Sequence, residues 1–148
     1  DVLMQNTDSS AVLQTAEKLG KRGFGWDSDM TAYGPKAHLA SSVINWAPYY
    51  KKAVGDALAG SWTSGKAWWG VKEGAIDLVS IAADVPAEVK DKVEKAKAGL
   101  KDGSFVIWKG PIQDQSGKDV LSKDAVADDA FLGGIKFYVK GVEGKLPG

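Results

Sequence analysis

The chain of 148 residues contains no cysteine and a single histidine, His38. Without cysteine it has no disulfide framework, no thiolate nucleophile and no cysteine-based metal site. His38 has no second histidine with which to share a metal ion, and it stands outside the spacing of a Ser/Asp triad. It is therefore expected to be a structural or surface residue, and the chain is expected to hold neither a metal nor a cofactor.

The sequence also lacks an excess of charge of one sign and lacks long apolar runs. Its 19 basic residues balance its 19 acidic residues, and no basic run carries interleaved aromatics, so nucleic acid is not an expected partner. No apolar stretch approaches the roughly 20 residues that span a bilayer. Asp1 leads directly into an apolar run, without a signal peptide, so we expect a processed product or a fragment of a longer protein.

Apolar and polar residues alternate in blocks that predict strands connected by helices. Strands are predicted over residues 1–5, 24–26, 38–45, 67–71, 75–81, 104–108 and 135–142. Helices are predicted over residues 10–19, 46–60, 86–101 and 125–132, with a hairpin turn at 117–118. The first two helices are expected to bury the apolar stripes Val12, Ala16, Leu19 and Tyr50, Ala53, Val54, Ala57, Leu58. This order favours an α/β fold with a mainly parallel sheet flanked by helices.

In a sheet of this kind, ligands bind at the carboxyl ends of the strands. The first predicted strand is followed by Asn6, Thr7 and Asp8, which bring an amide, a hydroxyl and a carboxylate to the start of a helix. Helix N-termini attract polar and anionic groups. We predict a ligand role for these three residues, with simple helix capping by Asp8 or Ser9 as the alternative.

Asp27 directly follows the second predicted strand. A carboxylate at such a position can accept two hydrogen bonds from vicinal hydroxyls or from an NH-rich heterocycle. Asp29, two residues later, could support it, although Asp-Ser-Asp is also common in turns. The pair alone is too little for acid–base catalysis, because no third group is identified.

The chain has six tryptophans, many for its length. Trp68 and Trp69 are adjacent on a predicted strand, so their side chains are expected on opposite faces. Trp69, with Gly70 in the loop that follows, is a candidate for stacking on a flat ligand. Trp46 and Trp62 are interpreted as packing residues.

The segments GWDSD, YGPKAHLASSVINWAPYY and WWGVKEGAIDLVSI together resemble the basic membrane protein family. These proteins are lipoprotein-like substrate-binding components of ABC importers, and several bind purine bases or nucleosides. The resemblance implies a periplasmic-binding-protein type I fold, in which two α/β lobes clamp a small molecule. It also implies a periplasmic or membrane-anchored extracytoplasmic location, an ABC transporter permease as partner, and no enzymatic activity.

The resemblance further implies a division of the chain. Residues 1–68 would form most of the C-terminal ligand-binding lobe, and residues 69–108 would be strands and a helix that return to a missing N-terminal lobe. Residues 109–148 would form a C-terminal tail.

The resemblance also bears on the site. Asp27 matches the aspartate that commonly binds ligand hydroxyls in the family. Asn45 replaces a lysine of the family, and Asn6 to Ser9 replace a glycine-rich loop, which favours a free purine base over a nucleoside. Two alternatives stay open. One is an Asp- and metal-dependent nucleoside hydrolase built on Asp27 and Asp29, and the other is a carbohydrate-binding module with Trp62, Trp68 and Trp69 on one sheet face.

Overall fold

A four-stranded sheet organises residues 1–102, the first of two compact units in the computed structural model, which describes residues 1–146. Its elements in chain order are β1 (Val2–Leu3), α1 (Ala11–Lys18), β2 (Arg22–Asp27), a 3-10 turn (Thr31–Tyr33), β3 (His38–Ile44), α2 (Ala47–Leu58), β4 (Ile76–Val79) and α3 (Ala87–Asp102). The strands lie in the order β1-β2-β3-β4, with β1, β2 and β3 parallel and β4 antiparallel to β3. The predicted α/β fold with a mainly parallel sheet is confirmed.

Helix α1 packs on the sheet through Leu13 and Ala16, both fully buried. A Cβ placed on Gly23 of β2 would lie 3.1 Å from Leu13 and 3.8 Å from Ala16, so the missing side chain lets the helix approach the strand closely. The predicted stripe was partly wrong: Ala16 is buried, but Leu19 is exposed because the helix ends at Lys18. The residue of α1 that is buried against Gly23 is Leu13, and not Val12 as predicted.

The connection from β2 to β3 is unusually short for two parallel strands and contains only the 3-10 turn. Its Met30 is 3% exposed and lies against Gly25 of β2. A Cβ on Gly25 would stand 2.8 Å from the Met30 Cβ and would overlap the Ser41 hydroxyl of β3. Residues 28–34 therefore form part of the layer that covers this face of the sheet.

Several sequence predictions of extended structure were wrong. Residues 61–70 are irregular, so the predicted strand at 67–71 is absent, and 104–108 and 135–142 form no strand beyond an isolated bridge at Val139. The Gly70 carbonyl instead accepts hydrogen bonds from the Ala75 and Ile76 amides, which closes a turn. Strand β1 is only two residues long and exposed, because it is the edge strand of the sheet.

The predicted apolar face of α2 is not buried within the described residues. Val54 is 58% exposed and Leu58 is 86% exposed, and no residue of this helix belongs to the core. Interactions at its N-terminus stabilise the helix instead. The Asn45 side chain accepts from the Ala47 amide at 3.1 Å, and Pro48 occupies the first turn, where a missing N–H is tolerated.

The second unit begins at Gly103 and contains β5 (Ile112–Gln113), β6 (Asp119–Leu121) and α4 (Asp129–Gly133). Strands β5 and β6 form an antiparallel hairpin whose turn contains Gly117 in a left-handed conformation (φ +83°), as the sequence predicted. Asp128 caps α4 by accepting from the Phe131 amide at 2.8 Å. The division at residues 68 and 108 stays a prediction, and Pro147 and Gly148 of the predicted tail lie outside the described residues. None of the helices within residues 1–146 is long and apolar enough to cross a membrane.

Candidate functional site

The carboxyl ends of the three parallel strands lie at one edge of the sheet, which we call the carboxyl edge. Asn6, Thr7 and Asp8 follow β1, Asp27 is the last residue of β2, and Asn45 follows β3. The turn that begins at Gly70 lies at the same edge, because the Asn45 amide donates to the Ala75 carbonyl at 2.8 Å. The fold thus brings the predicted ligand residues to one edge, as parallel strands require.

Asp27 has an unusual backbone conformation, with φ at +69°. Aspartate and asparagine adopt this left-handed region more readily than most residues, and such conformations cluster at functional sites. The side chain is exposed and makes no hydrogen bond or ion pair within residues 1–146. Asp27 is therefore a charged group at the carboxyl edge without a structural partner that would explain it.

The loop after β1 is tied to β2 by Gln5, whose side-chain amide donates to the Phe24 carbonyl at 3.1 Å. Thr7 donates to the Gln5 side chain at 3.0 Å, so its hydroxyl supports the loop. Ser9 accepts from the Ala11 amide at 3.3 Å at the start of α1, and Asp8 makes no such bond. The helix therefore does not use Asp8 as a cap, and the ligand roles of Asn6, Thr7 and Asp8 stay predictions.

Asn45 joins three elements. Its Nδ2 donates to the Gly74 carbonyl at 3.2 Å, and its Oδ1 accepts from the Ala47 amide at 3.1 Å. Both polar atoms are thus engaged in holding the end of β3 to the 70–74 turn and to α2. These bonds account for the asparagine structurally, and a ligand contact stays a prediction.

Four aromatic residues form a cluster beside Asn45: Trp46, Tyr49, Tyr50 and Trp69. Trp46 stacks on Tyr50 with ring centroids 6.0 Å apart, and Tyr49 meets Trp69 edge to face at 5.8 Å. Three of them border a cleft of about 380 Å³, whose lining includes Ile44, Asn45, Trp46, Tyr49, Trp69 and Ile76. Trp69 is half-buried there, and the Gly70 amide is occupied by the Glu73 carboxylate at 2.9 Å.

Sequence reasoning did not identify Tyr49 and Tyr50 as members of this cluster and interpreted Trp46 as a packing residue. Trp46 is in fact 56% exposed. The spacing of Trp46, Tyr49 and Tyr50 at i, i+3 and i+4 places all three on one helix face, which was the available signal.

Asp29 does not support Asp27 directly. Its carboxylate accepts from the Thr31 amide at 3.0 Å, from the Thr31 hydroxyl at 2.6 Å and from the Ser80 hydroxyl at 2.5 Å. The bonds from Ser80 and then Thr31 lower the pKa of Asp29 to about 2. Asp29 is therefore ionised at neutral pH and ties the segment after Asp27 to the residue after β4.

His38 is 2% exposed and lies between two hydroxyl groups. Its Nε2 is 2.8 Å from the Ser41 hydroxyl and its Nδ1 is 3.3 Å from the Thr31 hydroxyl. Burial lowers the pKa of His38 below its ordinary value of 6.5, although the nearby Asp29 charge opposes the shift. The histidine is structural, as expected, and its neutral form is the one that folding favours.

This shift predicts that stability falls in mild acid. The folded state binds the His38 proton less readily than the unfolded state, so the stabilising contribution is complete above pH 6.5 and decreases as the pH falls through the lowered pKa of His38. We expect the urea midpoint to decrease between pH 7.5 and 5.5, and to decrease less in His38→Gln, whose amide does not titrate. An equal decrease in the two proteins would contradict this assignment.

The mostly parallel sheet with its flanking helices is an α/β fold consistent with a fragment of the periplasmic-binding-protein type. The family model of the ABC transporter substrate-binding proteins described as PnrA-like matches residues 1–116. The chain belongs to this family, and the resemblance to basic membrane proteins is confirmed.

Relatives with curated names include a purine-binding protein of Brucella abortus (strain 2308), 39% identical over 147 residues. A putative ABC transporter glucose-binding protein of Haloferax volcanii (strain DS2) is 25% identical over 147 residues. Each match covers 99% of this chain, whereas the chain spans only 42% and 35% of the length of these two relatives.

Among solved structures, a transcriptional activator of the comK gene from Bacillus halodurans has a similar fold. The TM-score is 0.64 at 20% identity, over 71% of this chain and 38% of the other. At this identity the similarity concerns the fold alone.

Proposed function

We propose that this chain supplies ligand-binding residues of an extracytoplasmic substrate-binding protein that delivers a small polar solute to an ABC transporter permease. The observation that carries the proposal is Asp27, an exposed carboxylate without an internal partner at the carboxyl edge of the sheet. Membership of a substrate-binding family supports capture without chemistry. The ligand would be enclosed when a second lobe of the same protein closes on this edge.

The favoured ligand is a purine base or a nucleoside. A purine is flat and carries N–H donors, so it can stack on an aromatic ring such as Trp69 or Tyr49 while a carboxylate such as Asp27 accepts its polar edge. Asn6 and Asp8 would form hydrogen bonds with further polar atoms of the purine. The purine-binding relative, at 39% identity, supports this choice.

Glucose is the second candidate. Aromatic faces and carboxylates also suit the apolar faces and vicinal hydroxyls of a sugar, and one relative is named as a putative glucose-binding protein. The carbohydrate-binding module considered from the sequence is a different arrangement. It requires Trp62, Trp68 and Trp69 on a sheet face, whereas all three lie on the irregular segment 61–70.

The hydrolase alternative gains no support from the site. Asp29 is committed to Thr31 and Ser80, and residues 1–146 contain no group of three His, Cys, Asp or Glu side chains that could hold a metal ion.

The proposal is tested by calorimetric titration of the full-length protein that contains this chain with adenine, guanine, hypoxanthine, their nucleosides and glucose. We expect saturable binding of a purine or purine nucleoside without turnover. At 100 times the Kd, that ligand would stabilise the folded protein by about 2.7 kcal/mol. Binding of glucose without binding of any purine would show that the ligand is a sugar and not a purine. Formation of a hydrolysis product would overturn the import function.

A further inference from the structure

A chain of hydrogen bonds runs through the face of the sheet that the segment after Asp27 covers. It links the Met30 amide to the Ser41 hydroxyl at 3.0 Å, Ser41 to His38 at 2.8 Å, His38 to Thr31 at 3.3 Å, and Thr31 to Asp29 at 2.6 Å. Ser80 closes the chain by donating to Asp29 at 2.5 Å. We call these residues the Asp29–Ser41 relay: Asp29, Met30, Thr31, His38, Ser41 and Ser80.

The direction of every proton in the relay follows from its ionised end. The Asp29 carboxylate can only accept, so the Thr31 hydroxyl donates its proton to it. Thr31 can then only accept from His38, which places the histidine proton on Nδ1. His38 Nε2 is consequently an acceptor for the Ser41 hydroxyl, whose oxygen remains free to accept from the Met30 amide.

The relay ends beside Asp27. Asp29 is two residues away, and Met30, three residues away, also accepts from the Trp26 amide through its sulfur at 3.5 Å. The bonds to the Asp29 carboxylate and from the Met30 amide thus restrain the segment that begins two residues after Asp27. Ser80, which anchors the far end, is brought close because β4 is antiparallel to β3 and its last residue, Val79, pairs with Ser41 of the relay.

We propose that the Asp29–Ser41 relay positions Asp27 for its ligand. The relay holds this position while His38 is neutral, and protonation of His38 loosens it. The inference rests on the proposed function, because it concerns the geometry of a ligand-binding carboxylate. Ser80 and His38 are positioning residues and do not contact the ligand.

Protonation of His38 would break the relay at one defined point. Nε2 would become a donor facing Ser41, and the hydroxyl proton of the fully buried Ser41 would lose its acceptor. The charged groups around His38 are Asp29 and Lys36 from the β2–β3 connection, and Arg22 of β2 with its partner Asp84. All four line one surface cleft together with His38. Arg22 opposes a second positive charge, whereas Asp29 favours it.

The test uses Ser80→Ala in the full-length protein, since Ser80 is exposed and its loss leaves the buried packing unchanged. We expect the Met30 amide to exchange with solvent about tenfold faster, because the relay loses its anchor, and affinity for the purine that binds the unaltered protein to fall about fivefold. Ser116→Ala is the matched control. It removes a comparable serine–aspartate bond of 2.6 Å in the second unit and should change neither quantity.

A pH series separates positioning from general stability. Affinity of the unaltered protein should fall severalfold between pH 7.5 and 5.5, and His38→Gln should show a flat profile over this range. Two results for Ser80→Ala would overturn the inference while the proposed function stands. One is an unchanged exchange rate of the Met30 amide, and the other is faster exchange with unaltered affinity. If the unaltered protein binds neither purine nor glucose, the proposed function fails and the inference falls with it.

Discussion

Replacement of Asp27 by asparagine is expected to weaken purine binding about 100-fold. The substitution removes the negative charge from a residue predicted to accept two hydrogen bonds, and bonds to charged groups contribute about 1.5–3 kcal/mol each. Asparagine tolerates the left-handed backbone found at this position, so the fold should be retained. Calorimetric titration with the purine that binds the unaltered protein measures the loss.

Asp124 provides a matched control for this experiment. It is also an exposed aspartate with positive φ, +64°, but it lies in the second unit and pairs with Lys109 at 3.1 Å. Asp124→Asn should bind purine as the unaltered protein does. Equal affinities for Asp27→Asn and the unaltered protein would remove Asp27 from the site.

The largest expected effect on stability comes from Gly25→Ala. The new methyl group would overlap the Ser41 hydroxyl and stand 2.8 Å from the Met30 Cβ, at a place where both neighbours are buried. Overpacking of this kind costs about 1–3 kcal/mol, and relaxation of Met30 would also disturb the relay. Chemical denaturation followed by circular dichroism gives the free energy of unfolding.

Gly55→Ala is the corresponding control. Gly55 lies inside α2 without a positive φ, and a methyl group added there would meet no heavy atom within 4 Å. Alanine should raise the free energy of unfolding there by about 0.5–1 kcal/mol, because glycine is a poor helix former. A similar response of the two glycines would contradict the tight packing of Gly25 against Ser41 and Met30.

The elements that the sequence predicted well are those whose pattern lies within the element itself and the residues next to it. Helix α3 has apolar residues at helical spacing over four turns, and α1 lies between a polar start and Gly20. Strands β2 and β3 are short segments in which apolar residues are followed by a polar residue, Asp27 or Asn45, at the carboxyl end. The alternation of strands and helices along the whole chain predicted a mainly parallel sheet, and β2 and β3 are parallel although no helix connects them.

The wrong predictions of strands share one physical cause. An apolar run such as 67–71 or 104–108 becomes a strand only where another strand offers hydrogen bonds, and that partner is set by the tertiary fold. The first of these runs instead places Trp69 against Tyr49. The second is exposed along its length.

The candidate site likewise contains one residue that its sequence neighbours predict and a set of contacts that only the tertiary fold creates. Asp27 could be predicted as a ligand residue because it stands at the end of a strand, and that role stays a prediction. The Asp29–Ser41 relay could not be predicted, since Ser80 and Asp29 are 51 residues apart and meet only through the antiparallel pairing of β3 and β4.

The short connection between β2 and β3 has a consequence for how ligand preference could change. The residues just after Asp27 also serve as the packing layer over Gly25, so no helix separates the carboxylate proposed to bind the ligand from the protein interior. A change in the volume of Met30 would shift that carboxylate without touching any ligand atom. Selectivity in this protein would then be adjustable from its hydrophobic interior, by variants that a survey of ligand-contacting residues alone would overlook.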